Sequence, residues 1–215
     1  RGLARNVKTI YGVEAIPLPF SLLREFSDGE LSESNRAAIR ARLGIPPDTV
    51  ALMSFGEPAR VKGNDECVEA LALLRARGVD AVLYFVGKNN PYVRNLAALA
   101  RRLDLSDEIH FLPGRPAETV YRDPLIAADI GIQLRSHGLG GVSAALSDAI
   151  SAGLPSVASI DLAEAIDAPD YVLTVPVGAD AGPVADRVAE IVTAGRSRER
   201  LSAARTAYNA AHAPE

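Results

Sequence analysis

Residues 54–63 read SFGEPARVKG and hold two cations, Arg60 and Lys62, between Gly56 and Gly63. The loop follows an apolar run and precedes a helical pattern. Cations in a loop at the carboxyl end of a strand can clamp a diphosphate, lysine as a point charge and arginine as a bidentate fork. The competing reading is an ordinary surface loop with ordinary surface charges. A second segment, 137–148, reads HGLGGVSAALSD. Gly138, Gly140 and Gly141 let backbone approach a ligand closely. Val142 and Ser143 then open a helix whose first N–H groups favour an anion. On that helix Gly141, Ala144, Ala145 and Asp148 share a face. Asp148 lies roughly 12 Å along the axis from Gly140, at 1.5 Å per residue. That is about the span from a diphosphate to the ribose of a nucleotide. The competing reading makes Asp148 a solvated helix residue and the glycines mere turn formers.

The elements that must position these groups are legible as periodicity. Apolar runs at 50–55, 81–86, 109–112, 130–134, 156–159 and 171–175 predict buried strands. Between them, 65–77, 91–103, 117–128 and 142–152 carry apolar residues at three- and four-residue spacing. Leu71 pairs with Leu74, and Leu96 with Leu99 and Leu103. Pro91 suits a first helical position, and Gly78 and Gly153 suit helix ends. The alternation predicts an α/β fold, a doubly wound parallel sheet of about six strands. At the ends, 13–20 contains two prolines and reads as an edge or lead-in segment. A helix is expected at 34–43, and a helical stretch at 182–211 with a break at Gly195. Residues 1–48 thus form a lead-in segment and linker helix, and 49–215 the ligand-binding domain.

Composition narrows the function. The chain has 215 residues and a formal charge of −4, with 23 basic and 27 acidic residues, which is no footprint for nucleic acid. The single cysteine, Cys67, cannot form an internal disulfide and reads as core. Three histidines and one cysteine offer no metal-ligand spacing. His110 alternates with Ile109 and Phe111 and reads as structural, while His137 sits beside the glycine loop. No Gly-x-Ser-x-Gly elbow supports a serine hydrolase.

Together these segments resemble the C-terminal, donor-binding half of a retaining glycosyltransferase of the GT-B fold, group 1 family. Gly56, Lys62 and Gly63 match that family's diphosphate loop, with Glu57 where the family has arginine and Arg60 nearby as a substitute. Val86–Gly87 matches a strand ending, His110 to Gly114 the loop near the base, and Ala128–Asp129 the pair before the next strand. The signature of two glutamates separated by seven residues ends in Asp148, followed by AISAGLP. Its first glutamate falls at Gly140 or Gly141 and is absent. The resemblance implies transfer of a sugar from a nucleoside diphosphate sugar, with no tightly bound cofactor. Lys62 and Arg60 are the catalytic candidates. Gly56, Gly63, Gly138, Gly140, Gly141, Val142, Ser143 and Asp148 are the candidates for holding the nucleotide. It also implies a separate N-terminal acceptor domain, so that this chain alone would not turn over. The setting would be cytoplasmic, with peripheral contact at the inner face of a membrane left open.

Two other readings use the same residues. Gly138, Gly140 and Ser143 after a strand, with Asp161 about 20 residues on, mimic the dinucleotide fingerprint of an NAD(P)-dependent oxidoreductase. The losses at Glu57 and Gly140 suit a degenerate domain that binds sugar nucleotide weakly or serves as scaffold.

Overall fold

Each apolar run becomes a strand in one wholly parallel sheet. The computed structural model describes residues 2–14, 24–112, 118–138, 141–195 and 200–213. In chain order the strands are β1 (Val50–Phe55), β2 (Ala81–Val86), β3 (Ile109–Leu112), β4 (Ile130–Gln133), β5 (Ser156–Ser159) and β6 (Val172–Val175). Across the sheet the order is β3-β2-β1-β4-β5-β6. The chain therefore winds outward from β1 in one direction, returns, and winds outward from β4 in the other. The reversal leaves a crevice between the carboxyl ends of β1 and β4, where ligands of such sheets bind.

Helices cover both faces. They are α1 (Gly2–Tyr11), α2 (Glu33–Leu43), α3 (Asn64–Ala76), α4 (Val93–Arg102), α5 (Glu118–Ala127), α6 (Ala144–Ser151), α7 (Ile160–Ala165), α8 (Ala181–Thr193) and α9 (Ser202–Ala211). Successive strand residues point to opposite faces. Leu52, Leu83, Phe85, Ile130 and Ile132 meet Leu71 and Leu74 of α3 and Val184 and Val188 of α8. Met53, Phe55, Tyr84 and Val86 meet Ile39 of α2, Leu125 of α5 and Ala149 of α6. Burial on both faces explains why the strands read as continuous apolar runs.

Several boundaries differ from the sequence expectations. The last strand begins at Val172, because the Tyr171 ring packs inward and its hydroxyl donates to the Ile150 carbonyl at 2.9 Å. Helix α7 was not foreseen: six residues show too little of the helical period. Nor was α1. Helix α5 runs through Pro124, which has no N–H to donate but whose carbonyl still accepts from Ala128 at 3.0 Å. Residues 15–23 of the lead-in, Pro113 and Gly114 of the expected base loop, and Gly140 lie outside the described residues.

A buried arginine fixes α2 to the sheet. Arg40 is 4% exposed. It donates to the carbonyls of Ala127, Pro46 and Thr49 at 3.1, 2.7 and 2.6 Å, and to Asp129 Oδ2 at 2.8 Å. The same Asp129 oxygen accepts the Ala51 N–H at 2.8 Å, and Arg36 pairs with the other oxygen. The Ala128–Asp129 pair therefore ties the starts of β1 and β4 to α2. Arg40→Ala would leave these acceptors facing a cavity, and stability should fall by about 3–5 kcal/mol in chemical denaturation. A loss within 0.5 kcal/mol would show the network to be ornamental.

His110 stacks on Tyr84 with ring centroids 4.6 Å apart. Burial holds its pKa below the ordinary 6.5, against the opposing fields of Glu108 and Asp107. The unfolded chain then binds the proton more readily, so stability should drop as pH falls below 6.5 toward the folded-state pKa. In urea titrations at pH 7 and pH 5, His110→Phe should show a smaller drop than wild type. Equal drops would contradict a half-buried imidazole held neutral by its surroundings.

Candidate functional site

The loop after β1 is built on close backbone contact. Gly56 turns at φ +101, and its missing Cβ would lie 2.8 Å from Lys62 Nζ. Gly87, at the end of β2, packs tighter still: a Cβ there would lie 2.4 Å from the Gly56 carbonyl oxygen. The loop then makes a 3-10 turn, Arg60–Lys62, and Gly63 enters α3 at φ +59. Buried Asn64 braces it, accepting the Ala59 N–H at 2.8 Å and donating to Ser54 Oγ at 3.1 Å. Lys62 thereby folds back over the strand end, and its ammonium donates to the Glu57 carbonyl at 2.7 Å.

The loop after β4 runs alongside. A Cβ on Gly63 would lie 2.8 Å from Leu134 Cβ, and the Ser136 N–H donates to the Val61 carbonyl at 3.0 Å. Arg135 is held from the other side. Its N–H donates to Ser159 Oγ at 2.7 Å, and its carbonyl accepts the Gly178 N–H at 2.8 Å. So β1, β4, β5 and the loop beyond β6 meet at Arg135. Gly138 lies near Val177 and Asp161, with 3.9 and 4.0 Å to a hypothetical Cβ. Gly141 faces open space, Val142 is 47% exposed, and buried Ser143 caps α6 by accepting the Leu146 N–H at 3.2 Å.

The structure thus brings Lys62, Gly56, Gly63, Gly138, Gly141, Val142 and Ser143 to one edge of the sheet. Arg60 is exposed in the 3-10 turn, and its field reaches the Tyr92 phenol. Burial lowers the Lys62 pKa; the Arg135 charge lowers it further, and Glu57 partly offsets both. Asp148 differs most from its expected setting. It is 1% exposed, and its Oδ2 pairs with Arg24 at 2.5 Å. The Arg24 guanidinium lies 4.5 Å from the Tyr121 ring centroid. A solvated helix carboxylate is therefore the wrong picture, and ribose could reach Asp148 only if Arg24 shared it or moved aside.

Sequence reasoning passed over Gln133, the last residue of β4. It is 3% exposed, and its amide nitrogen has no acceptor. In the run IGIQL it reads as a strand's polar end and nothing more. Among the described residues, no group of three or more His, Cys, Asp or Glu could hold a metal ion. No described helix is long and apolar enough to cross a membrane.

A family model described as glycosyl transferases group 1 matches residues 35–206. The chain belongs to this family. It is 30% identical over 139 residues to the lipopolysaccharide glucosyltransferase WaaG of Escherichia coli, covering 64% of this chain and 35% of that protein. It is also 30% identical over 127 residues to a GDP-mannose-dependent alpha-(1-6)-phosphatidylinositol monomannoside mannosyltransferase of Mycolicibacterium smegmatis; the match covers 57% of this chain and 33% of that one. The matched stretches thus span about a third of these curated relatives. Among solved structures, WaaG superposes with a TM-score of 0.71 at 22% identity, covering 95% of this chain and 53% of that chain. Anabaena HepE, solved with UDP and glucose, gives 0.70 at 17% identity, with 89% and 51% covered. The six-stranded parallel sheet is the Rossmann-like half of the GT-B fold that the sequence predicted.

Two glycines should behave oppositely. Gly87→Ala drives a methyl into the Gly56 backbone and should cost about 1–3 kcal/mol or more. Gly141→Ala meets nothing within 4 Å and should stay within about 0.5 kcal/mol of wild type. Thermal or urea unfolding of the two variants checks the contrast, and equal stability would contradict the loop geometry.

Proposed function

We propose that this chain is the donor-binding half of a retaining glycosyltransferase that uses a nucleoside diphosphate sugar. One observation carries the reading: the Lys62 loop and the loop opening α6 lie side by side at the β1/β4 crevice of a group 1 family fold. In this reading the diphosphate lies in the crevice. Lys62 neutralises the charge that grows on the leaving diphosphate as the glycosidic bond breaks. The first N–H groups of α6 add donors to the same charge. Asp148, with Arg24 as its counter-ion, receives the ribose. The acceptor would be held by a further domain of a longer protein, so the chain alone should bind donor without transferring sugar. A cytoplasmic setting, with contact at the inner face of a membrane, is part of the same proposal.

The dinucleotide alternative loses ground on topology. That fingerprint belongs to the first strand–helix turn of such a sheet, whereas here the glycine cluster follows β4. The degenerate reading keeps one observation in its favour. Open space at Gly141 stands where the resemblance implies a carboxylate for the sugar.

Calorimetry with uridine, guanosine and adenosine diphosphates tests the proposal. At least one should bind in preference to NAD, and Lys62→Ala should weaken it by roughly 1.5–3 kcal/mol. Asp148→Ala should weaken nucleoside and nucleotide alike; an unchanged nucleoside affinity would reduce Asp148 to a partner of Arg24. Tight NAD binding with no diphosphate binding would reject the reading.

The empty place at Gly141 gives a separate expectation. Bare diphosphate and its sugar conjugate should bind about equally. Gly141→Glu should favour the conjugate by about 1 kcal/mol. If the native chain already prefers the conjugate tenfold, about 1.4 kcal/mol, another residue holds the sugar.

A further inference from the structure

The crevice holds two cations, and the sequence motif accounts for one. Lys62 and Arg135 stand on adjacent loops. Their sequence neighbours Val61 and Ser136 are joined by a 3.0 Å backbone hydrogen bond, and Gly63 packs directly on Leu134. Among the described residues, neither cation has a carboxylate partner within 4 Å. Lys62 donates to the Glu57 carbonyl at 2.7 Å, and Arg135 to its neighbour's carbonyl, Leu134 O, at 3.1 Å. Among the described residues many arginines do find carboxylates: Arg24, Arg36, Arg40, Arg42, Arg75 and Arg122 each pair with one. The nearest acid in the loop, Glu57, is turned the other way, accepting from Asn90 Nδ2 at 3.0 Å.

Holding two like charges together in a half-buried crevice costs free energy, and Arg135 depresses the Lys62 pKa accordingly. Glu57 and the two carbonyls offset this cost only in part, whereas a dianion between the loops would meet both charges. The Arg135 backbone is fixed at both its N–H and its carbonyl, so the guanidinium starts from a rigid base. Arg60 differs in its side chain: its carbonyl accepts the Gly63 N–H at 3.0 Å, but the residue is exposed and its field falls on Tyr92.

We propose that Arg135 is the second diphosphate-binding cation of this site, forming with Lys62 a two-point clamp across the β1/β4 crevice. This rests on the donor-binding reading and deepens it. A diphosphate diester carries two negative charges, which Lys62 and Arg135 match. The planar fork of Arg135 can take two oxygens of one phosphate, while Lys62 acts on the other as a point charge.

The test uses the 215-residue chain with inorganic pyrophosphate, the three nucleoside diphosphates and the free nucleosides as calorimetric probes. Arg135→Ala should weaken pyrophosphate and any bound nucleoside diphosphate at least tenfold and leave nucleoside affinity unchanged. Arg135→Lys, which keeps charge and loses the fork, should fall between. It also serves if the alanine variant does not fold. By NMR titration, the Lys62 pKa should rise in Arg135→Gln and should rise in wild type on adding pyrophosphate. If pyrophosphate binds through Arg135 but no nucleoside diphosphate binds, the donor reading fails and the clamp stands. The clamp is overturned if wild type binds none of the phosphates. It is also overturned if the Arg135 variants bind like wild type while Arg60→Ala carries the loss.

Discussion

The site depends on how closely two backbones approach at the β1/β4 crevice. Gly63 lies against the Leu134 side chain and the Ser136 N–H bonds the Val61 carbonyl, while Gly87 lets the end of β2 press on Gly56 from the other side. That tightness comes from topology. Strands β1 and β4 are sheet neighbours but lie far apart in sequence, so their following loops emerge together and diverge to opposite faces. Without glycine at 63 and 87, Lys62 would be displaced from the edge that α6 approaches. The close approach is thus a solution to a placement problem: it puts the loops that carry Lys62 and Arg135 side by side at the sheet edge where α6 begins.

The charges around this volume are sorted by burial. Away from the crevice, arginines are used structurally. Arg40 and Arg36 converge on Asp129, Arg24 lies between Asp148 and the Tyr121 ring, and Arg122 joins Glu30. Within the crevice, Lys62 and Arg135 donate to carbonyl oxygens among the described residues. Breaking a buried pair is costly because it leaves a charge unpaired, so the structural pairs have little freedom to serve a ligand. Lys62 and Arg135 keep that freedom. Asp148 stands on the border, a buried carboxylate of α6 already engaged by Arg24.

Much of the fold was legible because the strands are buried on both faces. Runs such as VALMSF and AVLYFV have no polar side to confuse the reading, and their limits match the structure at 50–55 and 81–86. The short helix α7, with six residues, was not legible, and Tyr171 reads as strand while its ring serves the core. The lysine and glycine positions of the site were legible from spacing and resemblance. The Arg24 partner of Asp148 was not, since it stands 124 positions away in sequence. The placement of Arg135 beside Lys62 was equally hidden. A cation after a strand is ordinary until the sheet order places that strand beside the one carrying Lys62. Local pattern records which face a residue occupies; pairing across the crevice is a property of the strand order.

The central claim is that the crevice between β1 and β4 receives a nucleoside diphosphate. A crystal structure of the chain grown with the tightest-binding nucleoside diphosphate tests it most directly. The account predicts phosphate density within hydrogen-bonding distance of Lys62 Nζ and of the N–H groups opening α6, with the base lying toward the carboxyl end of β3. Nucleotide density at any other edge of the sheet, or an empty crevice at saturating ligand, would contradict it.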